Sequence, residues 1–323
     1  MRKVSLISTV LNERQQLRHW IESLRLQSRQ PDEIVICDGG SSDGTLEELN
    51  TLSKQPLQPP LRVISKPGVN IAAGRNAAIA AASGEIIVVS DAGCSPDREW
   101  LNGMLKPFET REGTQAVAGH YRFLDDTPFR KAAAAYLGRP WENTAFLPSS
   151  RSVAFTRKAW QQVGGYPEWL TQAAEDTLFN QALLSAGIAF VQAPDAIVVW
   201  EIRPTLSSFL KMIYRNAFGD AETGTGRSNF WKTILKLLVT VGVVAAIAAA
   251  CSKFFDLWIA LGCGLSIPSA AIVMRALKRR VPVVGWFYFF TLSILGGPAY
   301  LMGYIQGCLC GKKPGKGNRS QGG

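Results

Sequence analysis

The stretch EIIVVSDAG (85–93) runs four apolar residues into a serine and an aspartate. A carboxylate at the end of a buried strand can accept from hydroxyls and ring N–H groups, or hold a hard cation through oxygen. Two more polar side chains stand at the same kind of position: Thr9 near the end of VSLISTV (4–10) and Asp38 at the end of EIVICD (33–38). Gly39 and Gly40 follow Asp38 and permit close backbone approach there. A fourth polar cluster, LPSSRSVAF (147–155), places Ser149, Ser150, Arg151 and Ser152 ahead of a strand, an edge suited to sugar or phosphate. Glu175 and Asp176 open a helical run, where acids suit the first turn.

These side chains need a scaffold that brings them together. Val4–Val10, Glu33–Asp38, Leu61–Ser65 and 85–91 read as strands. Leu17, Trp20, Ile21 and Leu24 recur at helical spacing. Asp43 can cap a short helix carrying Leu46, Leu49 and Leu52, after which Gln55–Pro60 is a proline-rich loop. Residues 71–82 form an Ala-rich helix stopped by Gly84, and Trp100, Leu101, Met104, Leu105 and Phe108 trace another. Strands alternating with helices predict a largely parallel α/β sheet, whose ligands sit beyond the carboxyl ends of the strands. Thr9, Asp38 and Asp91 then converge on one crevice. Further on, 115–119, 152–156, 188–191 and 197–200 read as strands and 175–186 as a helix.

VSLISTVLNE, EIVICDGGSSDGT, GRNAAIAAASGEIIVVSDAG and AAEDTLFNQALLSAG, in that order and spacing, resemble the family 2 glycosyltransferases of the GT-A fold, over roughly residues 2–220. The resemblance implies a Rossmann-like mixed sheet that binds a nucleotide-sugar donor at its strand ends. It implies that Thr9, Asn12 and Glu13 flank the nucleobase and that Asp38, with Asp43 nearby, holds base or ribose. In the usual DDGS-x-D pattern this chain has Cys37 for the first Asp and Gly40 for the Ser. Gly74, Arg75 and Asn76 match a family turn from which Arg75 faces the diphosphate or orients carboxylates. The D-x-D triplet, whose acids serve ribose and a bridging Mn²⁺ or Mg²⁺, is here Asp91-Ala92-Gly93, so the last acid is missing. Cys94 is a poor substitute for a hard oxygen ligand. Either a divalent cation rests on Asp91 with water and another acid, or cationic groups stabilise the leaving diphosphate instead; Glu201, where the family often has a histidine, is a second metal ligand or a surface acid. Glu175-Asp176 resembles the motif supplying the catalytic base, Asp176 first and Glu175 second. GGYPEWL (164–170) matches an acceptor-side loop in which Tyr166 and Trp169 either stack on a sugar or serve the core; Ser150 and Arg151 complete that side. The QxxRW motif of processive synthases is absent.

The net charge of +10 and the apolar runs point to a membrane. Hydrophobic segments at about 234–252, 254–274 and 281–311 are near or above the length a bilayer needs, roughly 20 residues. Arg275, Lys278, Arg279 and Arg280 lie between the second and third, and Lys312, Lys313, Lys316 and Arg319 follow the third. Such basic clusters favour the cytoplasmic side, and on charge grounds the third segment is expected to fold back as a hairpin around Gly296-Gly297-Pro298. No basic stripe interleaved with aromatics marks nucleic acid binding. The six cysteines form no CxxC pair, which excludes the usual zinc and disulfide frameworks. The first apolar run, Val4–Val10, is too short for a signal peptide. Leu206, Phe209, Leu210, Ile213, Tyr214 and Ala217 make an amphipathic stripe, placed either in the interface or on the catalytic domain.

The expected organisation is a catalytic domain over 1–221, a linker over 222–230, transmembrane helices over 231–311 and a basic tail over 312–323. The expected function is inverting transfer of a sugar, from a nucleotide-sugar with UDP as first choice, to a membrane lipid or lipid-linked glycan for envelope polysaccharide or glycolipid. The expected place is the inner (plasma) membrane, crossed more than once, with catalysis in the cytoplasm. The alternatives are a polyprenyl-phosphate glycosyltransferase and a non-catalytic nucleotide-sugar-binding membrane protein.

Overall fold

The computed structural model describes residues 2–55, 59–138, 147–251 and 257–312, except for the side chains of 251 and 257–263. The predicted 55–60 loop lies partly outside them, and the basic tail lies outside them beyond Lys312. Two compact units emerge. One contains the described residues up to Phe123 and those from 147 to Glu201; the other contains 124–138 and those from Ile202 onward.

The first unit is built on an eight-stranded sheet of order β3-β2-β1-β4-β7-β6-β8-β5. β1 (Val4–Val10), β2 (Glu33–Asp38), β3 (Leu61–Ser65) and β4 (Ile86–Val89) are parallel, as alternation with helices requires. The chain then reverses: β7 (Val153–Thr156) runs antiparallel to β4 and to β6 (Ala116–Phe123). Successive strand residues point to opposite faces. Leu6, Ile34, Ile36 and Val88 pack on one face with α1 (Arg14–Arg25), α2 (Thr45–Ser53) and α4 (Trp100–Thr110). Ile7, Val35, Ile87 and Val89 pack on the other with α3 (Ile71–Ala81), α6 (Arg157–Gln162) and α7 (Glu175–Ser185). The result is a mixed α/β sheet covered on both sides.

Several elements differ from the sequence reading. The two short strands expected at 188–191 and 197–200 are one, β8 (Phe190–Trp200), whose register against β6 shifts between Gly119 and His120. A three-residue strand, β5 (Cys94–Pro96), pairs with the end of β8. The helix α5 (Pro128–Leu137) begins at the Thr127-Pro128 pair, Thr127 accepting from the Arg130 backbone N–H. Gly74 of α3 lies directly on Thr9, so a Cβ there would collide with Thr9 Oγ1. Gly74→Ala is expected to cost about 1–3 kcal/mol, read as a lower Tm with the circular-dichroism spectrum kept; an unchanged Tm would show that β1 and α3 can move apart freely.

The second unit contains α5, α8 (Leu206–Thr223), α9 (Arg227–Cys251), α10 (Leu257–Lys278) and α11 (Trp286–Cys310). The sheet unit thus ends at Glu201 rather than 221, because α8 packs with the C-terminal helices. The expected 222–230 linker shrinks to the few residues between α8 and α9, since α8 runs to Thr223. α11 is one continuous helix through Gly296-Gly297-Pro298, which overturns the expected hairpin. A proline costs one hydrogen bond, and an apolar helix tolerates that when its neighbours re-satisfy the freed groups. Gly303 and Gly307 of α11 sit against the Tyr214 and Phe218 carbonyls of α8, where a Cβ has no room. Tyr300 Oη donates to Asp220 Oδ2 at 3.0 Å, and Lys312 N to Glu222 Oε1 at 2.9 Å. Among the described residues two helical stretches, Arg227–Ala250 and Val283–Cys310, are long and apolar enough to cross a membrane.

Candidate active site

Every candidate site residue singled out in the sequence lies in the sheet unit. Asp38 closes β2 fully buried. Its Oδ2 accepts from the N–H groups of Gly40 and Ser41 at 2.9 and 3.0 Å, which folds the loop. Its Oδ1 is buried with no hydrogen-bond partner among the described residues, so it is available to a ligand N–H or O–H. Asn12, in the left-handed region at φ 57°, joins the β1 and β2 loops by accepting from Ser42 N at 2.8 Å. The Glu13 N–H donates to Thr45 Oγ1. Asp43 accepts from Thr45 and from the Arg14 N–H. Desolvation is the largest single influence and raises its pKa, but the hydrogen bonds together outweigh it and hold the carboxyl below its usual value. Thr9 Oγ1 donates to the Cys37 carbonyl at 3.1 Å beneath Gly74. The hydrogen bonds of Thr9, Asn12 and Asp43 shape the crevice wall, and Asp38 is the one with a spare buried oxygen.

Arg75 stands at the centre. Its guanidinium is buried, donating through Nη2 to Asp91 Oδ1 at 2.9 Å and through Nη1 to Glu175 Oε1. Burial alone would lower its pKa; Asp91 and Glu175 more than reverse that, so the cation persists. This ion triad joins residues 75, 91 and 175 from three elements. Glu175 is pushed up by burial and by Asp176, against the pull of Arg75. With Arg75 occupying one of its oxygens and little exposure, Glu175 orients the site. Asp176, less buried, accepts from the Ser150 N–H at 3.4 Å and from Thr177 N at 2.8 Å. The residue before this pair, Ala174, is left-handed at φ 75°.

The acceptor side departs from expectation. Tyr166 is 2% exposed, stacks on Phe179 at 4.1 Å between ring centroids and lies edge-on to Phe155. It is a core residue, and its place in a sugar-stacking platform is withdrawn. Trp169 is half-buried in the same loop. Asn76 fastens that loop, donating to the Tyr166 carbonyl and accepting from Tyr166 N and Trp160 Nε1. Ser150 is buried, its hydroxyl without a partner of good geometry among the described residues. Arg151 lies 3.7 Å over the Trp200 ring and 5.5 Å from the Tyr121 centroid, cation–π contacts that fix its direction. Tyr121 and Trp200 were not legible as site residues; the only signal was an aromatic at the end of a strand beside Glu201.

The turn after β4 decides what could hold a cation. The Asp91 carbonyl accepts from Cys94 N, and the Gly93 carbonyl from Glu201 N at 3.1 Å. Glu201 therefore stands across from the position where an acid is missing. Cys94 is buried, and desolvation raises its thiol far above its usual value, while Mn²⁺ and Mg²⁺ prefer hard oxygen ligands. Among the described residues no three His, Cys, Asp or Glu side chains cluster as a closed metal site. One or two carboxylates can also share an ion with water and substrate phosphates, and Asp91 and Glu201 are the carboxylates that this turn brings near Cys94. A cavity of about 770 Å³ is lined by Arg2, Gly84, Gln115 and Arg157 at the opposite ends of the strands, away from these groups.

Residues 5–163 match glycosyl transferase family 2. Glycosyltransferase AglE of Haloferax volcanii is 25% identical over 302 residues, covering 88% of this chain and 91% of the relative. The undecaprenyl-phosphate 4-deoxy-4-formamido-L-arabinose transferase of Serratia proteamaculans is 30% identical over 141 residues, 42% of this chain and 41% of the relative. The mannosyltransferase PcManGT from Pyrobaculum calidifontis, solved with GDP-Man and Mn²⁺, superposes with a TM-score of 0.61 at 19% identity, over 96% of this chain and 87% of that one.

Proposed function

The chain belongs to glycosyl transferase family 2, and from that premise we propose that it moves one sugar from a nucleotide-sugar to a lipid-borne acceptor with inversion. The observation that carries this reading is the Arg75–Asp91–Glu175 triad with Asp176 beside it. Asp38 receives the base or ribose on its spare oxygen. Asp176 takes the proton of the acceptor hydroxyl as that oxygen attacks the anomeric carbon. The bond from that carbon to the diphosphate breaks, and the electron pair leaves with the nucleotide. A positioned carboxylate in this role contributes about 10²–10⁴-fold. Arg151, aimed by Trp200 and Tyr121, supplies positive charge near the leaving group or acceptor.

A divalent cation, such as the Mn²⁺ that accompanies GDP-Man in the Pyrobaculum mannosyltransferase, would be held by Asp91 and Glu201 and would neutralise charge on the diphosphate. Gly93 has open space: among the described residues only Gln16 Oε1 comes within reach of a Cβ, at 4.0 Å. Gly93→Asp is thus expected to fit and to tighten Mn²⁺ binding about tenfold, because affinity follows ligand charge. Calorimetry with Mn²⁺ and a nucleoside diphosphate checks it; an unchanged affinity would put the ion elsewhere.

The two apolar helices among the described residues support residence in a membrane, and the basic residues beside the apolar segments favour a cytoplasmic sheet unit. A tethered enzyme meets lipid-linked acceptors at high effective concentration. The Serratia relative, named for undecaprenyl-phosphate, favours a second reading in which the acceptor is a lipid phosphate. Nucleotide diphosphate release, followed across UDP-, GDP- and dTDP-sugars with native lipid extract, tests the first proposal. Donor binding without release in any mixture would leave only a binding protein.

A further inference from the structure

The helical unit contains a cavity of about 370 Å³ whose described lining carries three cations and no acid. Its wall is the last turn of α5 (135–137), Lys236 of α9, Arg275 and Arg279 of α10 and Phe289 of α11. Arg275 and Arg279 are four residues apart and so share a helix face. Arg279 lies over Gly138, whose φ of 76° and missing Cβ give the guanidinium its place. Among the described residues none of the three cations forms a salt bridge. Three like charges facing one space repel each other, and the sequence keeps them there.

The position of Lys236 says what kind of anion belongs there. It lies nine residues into the apolar stretch that begins at Arg227, about 14 Å along the helix at 1.5 Å per residue. Its neighbours Leu235, Leu237 and Leu238 all face outward. An ionisable group inside such a stretch is costly and by default functional. Guanidinium forks match phosphate oxygens, and basic pockets between membrane helices suit anionic head groups. Phe289 and Leu137 give the same cavity an apolar side.

We propose that this cavity binds the phosphate head group of a membrane lipid, with the lipid chains lying along the outward apolar residues of α9. The site would act whether or not the sheet unit turns over, so its test reads stability and lipid retention, not activity.

The full chain would be delipidated in neutral detergent and titrated with phosphatidylglycerol, phosphatidylcholine or inorganic phosphate, following Tm and the lipid retained in native mass spectrometry. Phosphatidylglycerol is expected to raise Tm saturably and to remain bound, with phosphatidylcholine and inorganic phosphate doing neither. The double variant Arg275→Gln, Arg279→Gln should weaken the response at least about tenfold, the loss of two charge-assisted contacts. Lys278→Gln, one charge fewer on the same helix but outside the cavity lining, should keep it. Equal responses to the two lipids, a response reproduced by inorganic phosphate, an equal loss in Lys278→Gln, or a double variant that still responds fully would each overturn the assignment. Should the double variant not fold, the wild-type comparison of the three probes decides alone.

Discussion

Asp176→Asn is expected to lower kcat by about 10²–10⁴-fold while the protein continues to bind its donor. Asparagine keeps the shape and one accepting oxygen, enough for the 2.8 Å bond from the Thr177 N–H, and gives up only the longer 3.4 Å bond from the Ser150 N–H to the other oxygen, so the first turn of α7 stays in place. What is lost is the lone pair that takes the acceptor's proton. Single-turnover assays measure the first effect and calorimetry with the donor the second. A variant within about threefold of wild type would take the base role away from Asp176. It would move the enzyme to the phosphate-acceptor reading, because a phosphate oxygen attacks without surrendering a proton.

Arg75→Met is the most damaging single change expected for stability, costing about 3–5 kcal/mol, the usual penalty for stranding buried partners of an ion pair. Arg75 is 4% exposed and Glu175 8%. Methionine fills much of the same volume but leaves the Glu175 carboxyl buried next to Asp176. In a unit of this size that corresponds to a fall in Tm of about 6–20 °C. The pH dependence has a definite sign. Glu175 is raised even with Arg75 present, and without the cation it rises further. The folded variant then holds its proton more tightly than the unfolded chain, so the variant's deficit grows as pH rises through the carboxyl's titration and shrinks in acid. Adding Glu175→Gln to Arg75→Met should recover part of the loss. A deficit that does not change with pH, and no recovery in the double variant, would mean that Arg75 is held by packing alone.

The parallel half of the sheet was legible because each strand is a short apolar run closed by a polar residue, and each helix has its own periodic stripe. The expectations for β1, β2 and β3 coincide with the strands found. β5 escaped because three residues carry no period, and α5 because its Ala-rich face has weak contrast, although Thr127-Pro128 was a valid start signal. β8 was split in two by Pro194 and Asp195, which the sheet absorbs as an irregularity in its pairing with β6. In the site, Asp38, Asp91 and Asp176 could be found because each ends or begins an element. The Arg75–Glu175 pair spans 100 residues, and nothing local announces it. Tyr166 stayed open between sugar stacking and the core, since one aromatic in a glycine-rich loop looks the same whether it faces a sugar or Phe179. The charge rule misread α11 because it weighs flanking residues and is blind to α8, whose carbonyls meet Gly303 and Gly307.

Ala174 gives Glu175 and Asp176 an inheritance of strain. A glycine would adopt its φ of 75° freely, whereas an alanine there costs about 1 kcal/mol or more. Ala174→Gly should therefore relieve the native backbone while widening the set of shapes open to the chain just ahead of Glu175 and Asp176. The alanine works like a spring clip: the surrounding fold holds it shut, and the acids arrive already aimed before any substrate binds. A more comfortable residue at that one position would exchange aim for ease, and selection for heat resistance alone would drift toward it.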